Sequence, residues 1–227
     1  MDLSKIRAVS FDAADTLLHV QPSVGEVYQE IFAEYEIVFE SDELQTGFRT
    51  AFKNVSKNRA ILNGEKREID FWRRIVAKTV ENKGIRPTKF DQIFEALWSE
   101  FAKGSRWRIA EGGSETLCAL RERGYQIALT TNWDKRVRSV LEDHQLATLF
   151  DALIISSEIG YDKPAPEVFR HAARTLDVEL PQLLHIGDSF EADYQGAANA
   201  GCLSLHLRGA GKHSISKLSQ LIPLLPS

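Results

Sequence analysis

The sequence predicts an α/β protein: a doubly wound parallel sheet with a helical domain inserted after its first strand. Two observations carry that expectation. From Trp107 onward, apolar runs and helical periods alternate in turn, the pattern of a parallel sheet with crossover helices. Between Gln21 and Lys103 only helical periods occur, which separates a lone first strand from the partners it needs.

Taken in order, residues 6–11, "IRAVSF", form a short apolar run that ends on Asp12, so Asp12 is expected at a strand's carboxyl end. The stretches "VGEVYQEIFAEY", "ELQTGFRTAFKNV", "EIDFWRRIVAKTV" and "KFDQIFEALWSEFAK" place apolar residues three and four apart and read as amphipathic helices. Their aromatics, including Tyr28, Phe48, Trp72 and Trp98, with Trp107 at the segment's return, are expected in that module's own core. Helix "SETLCALRERG" then leads to strand "YQIALTTN", helix "KRVRSVLEDHQ" to "FDALIIS", helix "PEVFRHAARTL" to "LLHIGDS", and helix "YQGAANAG" to "CLSLHL". The expected organisation is a core of residues 1–20 and 105–227 with a helical cap of residues 21–104 over the sheet's carboxyl edge.

Composition sets the class. A chain of 227 residues with 43% hydrophobic content can fill a sizeable core. A net charge of -4 and a pI near 5.9 offer no basic field for a nucleic-acid backbone. Two cysteines, Cys118 and Cys202, suggest neither a disulfide framework nor a zinc site, so a reducing, cytoplasmic setting is expected. No apolar run approaches the roughly 18 residues of a membrane span, so a soluble protein with no membrane partner is expected. The oligomeric state stays open.

Four strand ends bring polar residues to one edge: Asp12, Ala14, Asp15 and Thr16 from the first, Thr131 and Asn132 from the second, Lys163 from "GYDKPAP", and Asp188, Ser189 and Asp193 from "IGDSFEAD". In open α/β sheets ligands bind at this edge. Asp12, Asp188 and Asp193 would raise one another's pKa unless cations sit among them. Lys163 supplies one positive charge, and a magnesium ion, which prefers hard oxygen ligands and substrate phosphate, would supply the rest.

The set "FDAADTL", "ALTTN", "DKPAPEVF" and "HIGDSFEAD", in this order, resembles the four motifs of the haloacid dehalogenase superfamily. The helical insertion resembles the C1 cap of its subfamily I, and the resemblance covers the whole Rossmann-like core. It implies a hydrolase, a phosphatase first of all, acting on a small phosphorylated substrate with magnesium. By that resemblance Asp12 is the nucleophile and Thr131 and Asn132 bind the transferred phosphoryl group. Lys163 orients and neutralises it. Magnesium is held by Asp12, the Ala14 carbonyl and Asp188, with Asp193 supporting the metal shell.

The chain departs from the family's pattern at one point. Most phosphatases of the superfamily read DxDGT, where the second aspartate is the general acid and base; here that position is Ala14, and Asp15 replaces the glycine. Phosphonoacetaldehyde hydrolases and haloacid dehalogenases also lack the second acid. The dehalogenases generally lack the "GD" that Gly187 and Asp188 provide here, and the cap lysines Lys53, Lys57 and Lys66 discriminate little as Schiff-base candidates. A weak or inactive member that binds without turnover is a further alternative, and Asp15 is a possible substitute acid. The histidines, including His19 and His185, show no metal-ligand spacing and receive no catalytic role.

Overall fold

The computed structural model describes residues 2–81 and 83–226. Its main sheet has six strands: β1 (Ala8–Phe11), β4 (Gln126–Thr131), β5 (Ala152–Ile155), β6 (Leu183–Gly187), β7 (Leu203–Leu207) and β8 (Ser214–Ile215). They are ordered β5-β4-β1-β6-β7-β8, and every pairing is parallel. Two short strands, β2 (Leu18–Val20) and β3 (Trp107–Ile109), pair with each other outside this sheet.

This order makes β1 the switch point. The chain winds from β1 through β4 to β5, then returns to the other side of β1 as β6. Crevices at such a reversal open at the strands' carboxyl ends, and the residue leaving β1 there is Asp12. β1 can occupy the middle of the sheet because "AVSF" is buried at all four positions.

The residues group into two compact units. The first consists of the chain up to His19, Ile109–Lys135 and the chain from His144 on. Its core includes Ala8, Ala128, Ile154 and Leu183 from the strands, with Val168, Phe169, Ala172 and Ala173 from α8 (Pro166–Thr175), which follows the one-turn helix α7 (Ser156–Ile159). Pro166 starts that helix at a position where its missing N–H costs nothing. Burying Phe169 completely is worth about 1.5–3 kcal/mol and ties α8 to the sheet.

The second unit is Val20–Arg108 with Arg136–Asp143. Its helices are α1 (Val24–Glu34), α2 (Ser41–Asn54), α3 (Gly64–Thr79), α4 (Pro87–Glu100) and α6 (Arg136–Asp143), the core helix α5 (Gly113–Glu122) lying between α4 and α6 in the chain. Tyr28, Ile31, Phe32, Leu44, Val76, Ile93, Phe94 and Leu97 form its buried cluster, with Phe48, Trp72 and Trp98 packed against it. Helix α6 follows β4 in sequence, yet it groups here through contacts with residues far away in the chain. The Arg136 guanidinium lies 3.4 Å over the Trp98 ring, and Asp143 Oδ2 accepts from the Gly104 N–H at 2.7 Å. No helix of the described residues is long and apolar enough to cross a membrane.

α1 and α2 meet through a glycine. The Gly25 N–H donates to Gln45 Oε1 at 2.8 Å, and a Cβ on Gly25 would lie 2.2 Å from the Ser41 carbonyl oxygen. Alanine gains about 1 kcal/mol over glycine within a helix, which does not offset such an approach to backbone. Gly25→Ala is therefore expected to destabilise the protein by about 1–3 kcal/mol, read as a lower urea midpoint with unchanged slope. An unchanged midpoint would mean that the two helices move apart at no cost.

Candidate active site

The edge is built from the backbone outward. The Asp12 N–H donates to Ile186 O at 2.9 Å, continuing the β1–β6 ladder one residue past the strand. The chain then turns tightly: the N–H groups of Leu17 and Leu18 both donate to Ala13 O at 2.9 Å, and that of Asp15 donates to Leu18 O at 2.8 Å. Ala14 sits on this turn with an exposed side chain.

Asp15 has φ +58, in the left-handed region that favours glycine. Aspartate is among the few other residues that tolerate it. Its side chain is 74% exposed, its carboxylate lies 3.4 Å from His19 Nδ1, and its carbonyl accepts from the Arg208 guanidinium. Asp15 therefore occupies the glycine position of the turn for a conformational reason, and it lies outside the carboxylate cluster formed by its neighbours.

That cluster consists of Asp12, Asp188 and Asp193, whose carboxylate oxygens come within 4.8 Å of one another. Lys163 lies among them: its Nζ donates to Asp12 Oδ1 at 2.7 Å and to Asp193 Oδ1 at 2.5 Å, and the side chain is almost fully buried. Asn132 holds the backbone of Lys163. Its Nδ2 donates to Lys163 O at 2.9 Å and its Oδ1 accepts from the Lys163 N–H at 2.7 Å. Its amide is thus engaged beneath the lysine. Thr131 is buried at the last position of β4.

Thr16 fixes Asp188 in both directions, its hydroxyl donating to Asp188 Oδ1 at 3.2 Å and accepting from the Asp188 N–H at 3.1 Å. Asp193 accepts from three donors: Lys163, His185 Nε2 at 3.0 Å, and the Ser189 N–H at 3.0 Å on its other oxygen. Gly187 makes room for it, since a Cβ there would lie 2.2 Å from the Asp193 carboxyl carbon.

The pKa directions follow from this accounting of donors. Burial raises Asp12; Lys163 opposes the rise, whereas Asp193 and Asp188 add to it. Burial also works on Asp193, but Lys163 and His185 outweigh it and hold that carboxyl well below the usual range. The two carboxylates diverge because Asp193 has the larger set of donors. Burial, Asp193 and Asp15 raise Asp188. Lys163 is raised despite its burial, because Asp12 and Asp193 both favour its charged form.

The residues singled out from the sequence thus take different places. Asp12, Lys163 and Asp193 are in contact, Asp188 joins their cluster, Asn132 supports Lys163 from behind, and Asp15 is apart. Sequence reasoning gave no role to Ser10, Thr130 or His185, which form a buried set of hydrogen bonds beneath Asp193. The available signal was their polarity within otherwise apolar strands, with Ser10 opposite His185 in the β1–β6 register.

A family model described as haloacid dehalogenase-like hydrolase matches residues 6–201. Haloacid dehalogenase-like hydrolase domain-containing protein 3 of Bos taurus is 30% identical over 97% of this chain and 94% of its own length. Among solved structures, a putative hydrolase of the same superfamily from Bacillus subtilis, bound to magnesium, superposes with a TM-score of 0.78 at 21% identity, covering 97% of this chain and 98% of that one. L-2-haloacid dehalogenase from Xanthobacter autotrophicus gives 0.69 at 20% identity over 91% and 79%. At such identities these two structures show the fold alone.

The left-handed backbone at position 15 is directly testable. Asp15→Gly is expected to leave stability unchanged or slightly raised, whereas Asp15→Val should cost about 1–2 kcal/mol by thermal unfolding. Equal melting temperatures for the two variants would remove the conformational explanation.

Proposed function

The chain belongs to the haloacid dehalogenase-like hydrolases, and on that premise we propose that it is a magnesium-dependent phosphatase of a small phosphorylated metabolite, working through a phosphoryl group carried on Asp12. The observation that carries this reading is the cluster of Asp12, Asp188 and Asp193 with one buried lysine. Lys163 contacts Asp12 and Asp193, while the Asp188 carboxylate accepts from Thr16. Three carboxylates around one ammonium leave negative charge in excess, and hard oxygen donors of this kind fit magnesium.

Asp12, Asp188 and the Ala14 carbonyl would hold the ion, and Asp193, whose oxygens already serve Lys163, His185 and Ser189, would support them from behind. When bound, magnesium neutralises the anionic phosphoryl oxygens and so permits an anionic nucleophile to approach them. The chain's own residues do the rest. A carboxylate oxygen of Asp12 attacks phosphorus as the ester P–O bond breaks, and the leaving oxygen departs with a proton from water. Water then attacks the same phosphorus, the bond to Asp12 breaks, and inorganic phosphate and the free carboxylate result. Lys163 holds Asp12 in place and offsets charge on the phosphoryl group, for which Thr131 at the end of β4 is a further donor.

A dehalogenase-type attack on carbon fits less well, because it has no use for the additional acid at Asp188. The exposed Ala14, at the position where the DxDGT pattern has its second acid, favours a second reading in which the site binds phosphate with weak turnover. A positioned general acid or base is worth about 10² to 10⁴ in rate, so its loss slows such chemistry without ending it.

Asp12→Asn is expected to abolish both turnover and acid-trapped phosphoenzyme across a panel of phosphate monoesters with magnesium, while circular dichroism shows an intact fold. Undiminished turnover in that variant would falsify the nucleophile assignment, and no turnover by the unaltered protein anywhere on the panel would favour the binding reading.

Without an acid at position 14, aryl and acyl phosphates should be hydrolysed much faster than alkyl phosphates, since their leaving oxygens need little protonation. Ala14→Asp should then raise alkyl-phosphate turnover by up to about 10². If Ala14→Asp changes nothing and Asp15→Asn abolishes turnover, Asp15 is the acid.

A further inference from the structure

We propose that His185 is a positioning residue for the reaction at Asp12: its Nε2–H fixes Asp193, and Asp193 in turn holds Lys163 against the nucleophile. The proposal deepens the reading of Asp12 given above and rests on it.

Lys163 ends a flexible four-carbon stem, so its ammonium group stays in place only if its acceptors do. One of these is Asp193 Oδ1, which receives both Lys163 Nζ at 2.5 Å and His185 Nε2 at 3.0 Å. An ionised carboxylate has acceptors only, so the imidazole nitrogen facing it carries the hydrogen. The opposite nitrogen, Nδ1, lies 3.0 Å from Ser10 Oγ, and Ser10 Oγ lies 2.7 Å from Thr130 Oγ1. Ser10 Oγ and Thr130 Oγ1 are thus hydrogen-bonded beside Nδ1, and the imidazole is held from that side while Nε2–H donates to Asp193.

The chain is anchored on three adjacent strands of the sheet. Thr130 is on β4, Ser10 on β1 and His185 on β6, with Ser10 directly opposite His185 in the parallel register. All three are fully buried, so bulk water offers no competing partner. The His185 ring also meets Phe169 edge-on, with centroids 5.1 Å apart at 76°. Phe169 lies on α8, the helix that starts just after Lys163. The imidazole is thus gripped at both nitrogens and at its edge, and the donor it presents to Asp193 has one direction.

The consequence belongs to the chemical step. Displacing a catalytic group by about 1 Å costs as much as about 10² in rate, and Lys163 Nζ contacts Asp12 and Asp193 at once. A residue three contacts away from Asp12 therefore affects turnover more than substrate binding.

The test compares His185→Leu, His185→Gln and Ser10→Ala with the unaltered protein, using p-nitrophenyl phosphate with magnesium as probe, thermal unfolding, and crystal structures. His185→Leu should lower kcat about 10- to 100-fold with KM changed less than threefold, and its structure should show Lys163 Nζ withdrawn from Asp12 or Asp193. His185→Gln, whose amide can still donate to Asp193, should recover most of the loss even if it is no more stable than the leucine variant. Ser10→Ala should fall between them, and it decides the matter with His185→Gln if the leucine variant does not fold. The proposal is overturned if folded His185→Leu keeps its kcat with Lys163 unmoved, or if all losses simply follow melting temperature. Should the unaltered protein hydrolyse no phosphate monoester, the phosphatase reading fails separately. The lysine's position in the variant structures then decides this proposal on its own: withdrawal upholds it and an unmoved Lys163 overturns it.

Discussion

The buried ammonium of Lys163 between Asp12 and Asp193 is the interaction around which the carboxyl edge of the sheet is organised. Removing one partner from such a buried pair leaves an uncompensated charge and costs about 3–5 kcal/mol. Three separate parts of the chain must therefore arrive together: the end of β1, the segment before α8, and the turn after β6. The parallel order with β1 in the middle brings the first and third side by side. Asn132, from the end of β4, completes the arrangement by fixing the lysine's backbone, so the side chain starts from a defined point.

Much of this was legible in the sequence because it rests on long-range periodicity. The five longer strands of the main sheet, the crossover helices and the four helices of the inserted segment all appear where apolar spacing puts them. β2, β3 and β8 did not, since pieces of two or three residues are too short to show a period. The grouping of α6 with the second unit was hidden for another reason. It depends on Arg136 meeting Trp98 and Asp143 meeting Gly104, contacts between residues distant in sequence that no local pattern encodes. The candidate site divides in the same way. Its charged members stood out as polar residues at strand ends, whereas Ser10, Thr130 and His185 lie inside strands, and their partners emerge only once register is known.

The motif "FDAADTL" shows how one letter can carry either chemistry or geometry. Read as chemistry, the aspartate at position 15 looks like an acid displaced by one residue. Its backbone shows that the position is set by the sign of φ, and the side chain that satisfies it faces solvent and His19. Charge in a motif is thus informative only after the backbone has been asked what it requires there. Ala14 is the opposite case, an exposed place on the turn that the sequence leaves without a functional group.

Gly187 and Asp193 have a consequence for how this protein can change over generations. The glycine is absent of side chain because the carboxylate six residues later occupies that space, at 2.2 Å from where a Cβ would be. A larger residue at 187 is acceptable only on a background where 193 has already shrunk, and that background has released the lysine. Either order of the two steps passes through a state that is sterically strained or has lost an acceptor of Lys163, so the glycine is expected to persist wherever Asp193 does.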